Sequence, residues 1–469
     1  MSRTRSPDTE ASAATAAAPP EGLSPLPNGL GWVVSSRSLT VRLLSDQRLG
    51  VLEPRPVMAH LAAKLPDDAR PFVDEITSFA ERVMLQTNAR HMVLRKAFGG
   101  FFDADAIAAL TPGMRTDARR TVRRFAADGG GEFMTSVAFP YAVRVGARLI
   151  GLTDQEYRLL HKLSQHVALV AYAARLDDPA QAVRAGHSAL TRARETLAAA
   201  RPAAPPASVL GAWHAGAIDL PDEDIEANVV MLVQASLETV AGMLGNTAAR
   251  VLGTSGALAD AGRRESLLDD ALRAEPPLKT LERVVQEPFH MDGHEFRPGQ
   301  IVSVRVAEAN RLDAEADRPG TGADQPGTEA DPPDHGPVAG RALFSFGWGA
   351  YRCLGARMAR HQAWELFDAL HHIAPATALA DEEVERVRHI RFDMPRRLRV
   401  VCPPTADRTQ LTRALTEALE EDDLDRPLTS LEREVTFVVL RENGVTVPEE
   451  LRGPTTIREW VEWATPVHG

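Results

Sequence analysis

The 469 residues are enough for a large domain plus a small one, and 44% of them are apolar, so a sizeable core can be buried. Lys+Arg 53 against Asp+Glu 64 leaves a net charge of −11, which argues against general binding to nucleic acid or to an anionic membrane. The 2 cysteines, Cys353 and Cys402, make no disulfide framework, and a reducing cytoplasm is the expected location.

Residues 1–27, rich in Ala, Pro, Ser and Thr, show no signal pattern and are expected to be disordered. No stretch is expected to be apolar over the length needed to cross a bilayer. Order is expected from the strand Trp32-Val-Val, followed by a helix in which Leu39, Leu43 and Leu44 share a face. Residues 70–200 read as helix-rich, broken at Pro140 and at Asp177-Asp-Pro179. Within them His91 and Arg95 stand at i and i+4, on one face, where both can reach one anionic group. Taken alone, the same spacing describes a solvated helix face.

A long helix is expected over Asp222–Arg250, opened by Pro221 and three acids. Its interior is apolar nearly all round, so it should be buried. Glu238 and Thr239 sit inside that run, and a buried carboxylate is costly without a purpose. The plain reading is an exposed Glu beside a Thr bonded back to its own helix. Asp270 and Arg273 form an i, i+3 pair ahead of Glu275-Pro-Pro277. Phe289–Gly299 reads as hairpin-like and Ile301–Val306 as a strand. Residues 313–340 are acidic and rich in Pro and Gly, which fits a loop or a disordered segment. Then comes Phe344-Ser-Phe-Gly-Trp-Gly-Ala-Tyr-Arg-Cys353-Leu-Gly355, a glycine-rich loop ending in a cysteine ahead of the helix Ala356–Leu370. Glycines let backbone N–H groups approach a sulfur, and a helix start favours an anion. Such a cysteine suits a thiolate that ligates metal, as the axial ligand of a haem iron. Cys402 lies in the strand-like Leu398–Cys402 and is expected merely to pack there.

The loop closely resembles the haem-binding segment of cytochromes P450, Phe-Gly-x-Gly-x-His-x-Cys-x-Gly, at Phe346, Gly347, Gly349, Cys353 and Gly355. Tyr351 departs from it, standing where the family has His or Arg. The resemblance extends over residues 28–402 and implies a mainly α fold with small β-sheets. It is to the soluble bacterial members, since no membrane anchor is seen at the N-terminus. It implies haem b on Cys353, with His91, Arg95, Arg283 and, more weakly, Tyr351 holding the haem. Ala235-Ser-Leu-Glu238-Thr239 matches the family's central-helix pattern Ala-Gly-x-Asp/Glu-Thr, whose acid and alcohol are catalytic and pass protons to iron-bound dioxygen. There a locally opened helix admits the oxygen; Ser236 replaces its usual Gly. Asp270 and Arg273 match the family's Glu-x-x-Arg brace with one methylene fewer. Leu278–Leu281 would face the substrate, and Ala309-Asn310-Arg311 matches Ala-Asn-Arg-Asp. The structured meander expected next has no equivalent in residues 313–340.

The implied reaction is monooxygenation of a small organic molecule in secondary metabolism. Electrons would come from NAD(P)H through a ferredoxin reductase and a ferredoxin docking near Arg352, Arg357 and Arg360, arginines that equally suit a solvated surface. Residues 403–469 lie beyond the family's usual end and read as a small helical domain resembling an acyl or peptidyl carrier. Ser430 stands where carriers bear phosphopantetheine, which would make the substrate a tethered acyl or aminoacyl group; it is equally an ordinary N-cap. A second reading is a degenerate P450 that recruits a partner, suggested by Asp270, Ser236 and the missing meander.

Overall fold

A computed structural model describes residues 22–311, 343–403, 408–442, 445 and 455–464, apart from single positions 382, 388 and 390. The low-complexity stretch 313–340 lies outside the described residues.

The architecture is mainly helical with small sheets, as the sequence predicts. The largest sheet has five strands: β1 (Leu23–Pro25), β2 (Gly31–Val34), β3 (Leu49–Gly50), β4 (Thr280–Val285) and β5 (Ile301–Arg305), in the order β1-β2-β5-β4-β3. Only the β2–β5 pairing is parallel. β1 corrects the expectation that residues 1–27 are disordered. Leu23 is buried and pairs with Val34, so a short apolar segment gains an antiparallel neighbour that composition does not reveal. Beneath this sheet Leu39, Leu43, Val302, Val304 and Phe344 make a core of their own.

The helices that frame the site are α1 (His91–Gly99), α2 (Asp154–Leu169), α3 (Asp222–Leu252), α4 (Ala261–Ala274) and α5 (Ala356–Ile373). Asp178 caps the helix Pro179–Ala200, so that predicted break is a helix start; at Pro140 there is no break, since the π-helical stretch Met134–Ala138 runs straight into the helix Phe139–Ile150. α3 is long and apolar enough to cross a membrane by length and composition, contrary to the sequence expectation. Neighbouring helices bury 67% of its most apolar window, and it serves as the axis of the main core.

The first turn of α3 carries Asp222, Glu223 and Asp224, where the positive helix end favours acids. Asp224 is fully buried, and two arginines from the segment ahead of α1 reach it. Arg82 Nη1 donates at 3.0 Å, and Arg90 adds a two-pronged contact. Asn228, one turn on, accepts from Met84 N–H at 2.8 Å and donates to Arg82 O at 2.9 Å. The start of α3 thus fixes residues 82–90, the approach to α1.

The tail forms three further helices, α6 (Arg408–Leu419), α7 (Ser430–Glu442) and α8 (Ile457–Ala464), close to the predicted ones. Leu411, Leu415, Leu428, Leu440, Ile457 and Trp460 pack into a core separate from the other two.

Burial works against the charge of Asp224, and Arg90 and Arg82 together outweigh it, so its carboxyl lies below the usual 3.8. A depressed acid contributes stability that is complete above its unfolded pKa and is lost as pH falls through the folded one. Asp224→Ala should therefore cost roughly 2–4 kcal/mol at pH 7, less than a wholly buried pair because both arginines can turn to water. Urea unfolding should show that deficit shrinking below about pH 3.8. A deficit that stays constant on acidification would contradict the assignment.

Candidate active site

The cysteine loop runs from Leu343 to Gly355 through two 3-10 turns, Phe344–Phe346 and Gly349–Tyr351. Gly347 and Gly349 have φ of +76° and +66°, the left-handed region that side chains with a Cβ avoid. A Cβ on Gly349 would also stand 2.7 Å from Leu44 O, so the loop lies directly against the end of the first helix. Cys353 N–H donates to Phe346 O at 2.7 Å and closes the loop on itself.

Cys353 is solvent-accessible, yet enough protein surrounds it that burial pushes its thiol above 9.0. A side chain that is both accessible and surrounded by protein lines a recess. The Gly355 N–H, Arg95 and Arg352 pull the other way, towards thiolate. Coordination to a metal ion deprotonates such a thiol outright.

Three of the predicted haem-contacting residues converge on this loop, and a fourth, Tyr351, belongs to it. His91 is buried, with Nδ1 2.9 Å from Met84 O and Nε2 2.9 Å from Ala350 O. Arg95, on the same face, donates from Nη1 to Arg352 O. Arg283 projects from β4; its Nη1 donates to Glu282 O at 2.9 Å and its guanidinium lies 4.6 Å from the Tyr351 ring centroid. Arg283 is buried and meets no carboxylate among the described residues; burial pulls its pKa below the ordinary arginine value. A buried cation without an anion is a standing demand for one. Accessible sulfur and carboxylate-free guanidinium fit a haem, whose iron takes a thiolate and whose propionates take cations.

The expected Asp270–Arg273 brace is not formed among the described residues. Asp270 is exposed, while Asp269, one residue earlier and about 100° around the helix, meets Arg360 of α5 at 2.5 Å. Arg273 Nη1 donates to Asn310 O at 3.3 Å. Asn310, fully buried, does the bracing: it donates to Arg273 O (3.2 Å) and Ser345 Oγ (3.0 Å) and accepts from Phe344 N–H (2.8 Å). Ser345 Oγ donates to Leu272 O at 2.5 Å. The motif around Asn310 is visible in the sequence; its bracing role and that of Ser345 are not.

On α3, Glu238 turns towards α2. His161 Nε2 lies 2.9 Å from one carboxylate oxygen and Gln165 Nε2 donates to the other at 2.7 Å. Thr239 Oγ1 donates to Ala235 O at 2.7 Å, within its own helix. Ser236 Oγ does likewise to Leu232 O at 2.7 Å and meets Tyr157 OH at 2.6 Å. Burial pushes the Tyr157 phenol up to about 12. α3 is continuous here, without the local opening that the resemblance implies. Ala235 is nevertheless exposed and Thr239 half-buried midway along a core helix, so protein side chains leave this stripe uncovered. Nothing in the sequence sets His161 and Gln165 apart within a helix-rich stretch.

Among the remaining expectations, Leu278–Leu281 are all half-buried, with Lys279 Nζ donating to His389 O at 2.9 Å. Arg352 is exposed beside Cys353, whereas Arg360 is engaged by Asp269. Cys402 is buried and packed, as expected. Ser430 is the exposed first residue of α7; the cap is Thr429, whose hydroxyl accepts from Glu432 N–H at 3.3 Å. The two unequal braces give a paired expectation. Asn310→Ala should cost about 2–3 kcal/mol in chemical denaturation, since it strands several buried groups, while Asp270→Ala should stay within about 0.5 kcal/mol. The reverse order would restore the family's usual brace.

No protein-family model matches the chain. The erythromycin C-12 hydroxylase of Saccharopolyspora erythraea is 28% identical, over 64% of this chain and 74% of that protein. The biotin biosynthesis cytochrome P450 of Bacillus subtilis is 22% identical, over 75% of this chain and 85% of that one. Among solved structures, P450BioI in complex with an acyl carrier protein ligated to hexadec-9Z-enoic acid superposes with a TM-score of 0.63, at 21% identity, covering 79% of this chain and 92% of that one. The chain thus has the cytochrome P450 fold, and the names of its relatives together with its structural neighbours support a place among the P450 oxidoreductases.

Proposed function

We propose that this chain is a haem-thiolate monooxygenase acting on a small organic substrate of secondary metabolism, in the cytoplasm. The observation that carries the reading is the pairing of an accessible, protein-surrounded Cys353 with a buried Arg283 that has no carboxylate to meet among the described residues. Bound haem would supply the reduction of dioxygen and the insertion of one oxygen atom, with electrons from NAD(P)H through a ferredoxin reductase and a ferredoxin. Cys353 would hold the iron, its charge favoured by the Gly355 N–H and by Arg95 and Arg352. Arg283 and Arg95 would offer positive charge and N–H donors on the propionate side, and His91 would join them by giving up its contact with Ala350 O.

Glu238 and Thr239 would handle protons. The carboxylate of Glu238 is held by His161 and Gln165 rather than left to swing, which keeps an acid beside Thr239 at a fixed place. The Thr239 hydroxyl must release Ala235 O before it can donate elsewhere, a rotation about one bond. Arg352, exposed next to the cysteine, suits the docking of an acidic electron donor.

A carrier-tethered substrate is a narrower form of the same reading, favoured by the likeness to a P450 solved together with an acyl carrier protein. Ser430 would then carry phosphopantetheine, its hydroxyl exposed at the start of α7 and not used as the cap. Incubation with coenzyme A and a phosphopantetheinyl transferase should add the prosthetic group's mass to the peptide containing Ser430. An unchanged mass removes this narrower form and leaves the oxygenase.

The broader form is tested by turnover with ferredoxin, its reductase, NADPH and isotope-labelled dioxygen, on compounds chosen because they shift the haem spectrum. Label should enter the product. Glu238→Gln and Thr239→Ala should each lower product per NADPH consumed by about a hundredfold, the low end of what a positioned proton donor supplies. Binding of such compounds without any oxygen incorporation would favour the degenerate, partner-recruiting reading.

A further inference from the structure

Tyr351 occupies the loop position from which a histidine or arginine would reach the haem, yet its hydroxyl is committed elsewhere. It donates to Asn88 Oδ1 at 2.8 Å. That oxygen also accepts Val51 N–H at 2.8 Å, while Asn88 Nδ2 donates to Val51 O at 3.3 Å and to Glu53 Oε1 at 3.1 Å. The amide is therefore locked to the chain just after β3 before Tyr351 arrives. β3 itself enforces the fit: a Cβ on Gly50 would stand 2.2 Å from Asn88 Oδ1.

The Tyr351 ring, held at its far end, meets two cationic or proton-bearing groups. The Arg283 guanidinium lies 4.6 Å from its centroid, and the His91 ring centroid is 4.1 Å away at a 39° tilt. A guanidinium over an aromatic face is held both by the ring's negative quadrupole and by stacking of two planar groups. Without a carboxylate to orient it, the fork of Arg283 takes its direction from this ring and from the Glu282 carbonyl that Nη1 meets.

We infer that Tyr351 and Asn88 are positioning residues: Asn88 anchors the tyrosine, and the tyrosine ring, packed against His91, sets Arg283 towards the anionic edge of the cofactor. Tyr351 acts through its ring and through Arg283, and its hydroxyl is not itself a donor to a propionate. This rests on the haem reading above.

The test is the rate at which the haem-loaded protein gives up its haem to excess apomyoglobin. Tyr351→Phe and Asn88→Ala each delete the same hydrogen bond and should each speed release by roughly three- to tenfold. The double variant should be no faster than the faster single one, because the two changes remove one interaction. Tyr351→Ala, which also removes the ring, should be faster than Tyr351→Phe by a further several-fold. Gly50→Ala, which reaches the site only by displacing Asn88, should speed release in the same direction. Each variant should keep the wild-type spectrum of the reduced, carbon monoxide-bound form, since the cysteine is untouched. If the hydroxyl donates directly, Tyr351→Phe will release haem as fast as Tyr351→Ala while Asn88→Ala and Gly50→Ala leave the rate alone, and the inference is overturned. Wild-type rates in every variant overturn it equally, with the monooxygenase reading intact. A wild-type chain that takes up no haem overturns both.

Discussion

Glycines at 347, 349 and 355 leave the cysteine loop without a stiff backbone of its own, so its shape must be imposed by what surrounds it. The surrounding structure meets that constraint largely through the loop's backbone groups. His91 reaches Ala350 O, Arg95 reaches Arg352 O, and Asn310 captures the N–H of Phe344. Ser345 and Asn310 tie the same stretch to the last turn of α4. Each of these partners lies more than thirty residues away in the chain, so the loop's conformation depends on the placement of α1, α4 and the segment after β5. The position of the sulfur is a property of the whole fold.

The same logic extends backwards from the loop. His91 sits correctly because Met84 O is fixed, and Met84 is fixed because Asn228 of α3 accepts its N–H. Asp224, one turn earlier, clamps Arg82 and Arg90 on either side of that segment. The central helix therefore does two jobs at its two regions. Its buried first turns orient the approach to the cysteine loop, and its middle carries a stripe at Ala235 and Thr239 that protein side chains leave uncovered. Burying a carboxylate in the first turn is tolerable because two guanidinium groups and the helix end all favour its charge.

Much of this was legible in the sequence because glycine spacing and helical periodicity are local. The cysteine loop and the i, i+4 pair of His91 and Arg95 are patterns within a dozen residues or so, and the long apolar helix is one continuous run. What failed was decided by packing. Asp270 and Asp269 are adjacent acids, and only the phase of α4 against α5 shows that Asp269 faces Arg360. β1 is a strand because Val34 is there to pair with Leu23, not because of its composition. Membrane-like length and composition in α3 say nothing of the helices that cover it. Asn88 and His161 belong to no motif, and their partners lie 263 and 77 residues away.

The central claim is that Cys353 ligates a haem iron. It is tested most directly by the absorption spectrum of the dithionite-reduced protein with and without carbon monoxide, for the wild type and for Cys353→Ser. The wild type should give the strongly red-shifted Soret band of a thiolate ligand, and the variant should lose that shift. A colourless protein that refuses added haem, or a haem band lacking the thiolate shift in the wild type, would contradict the account.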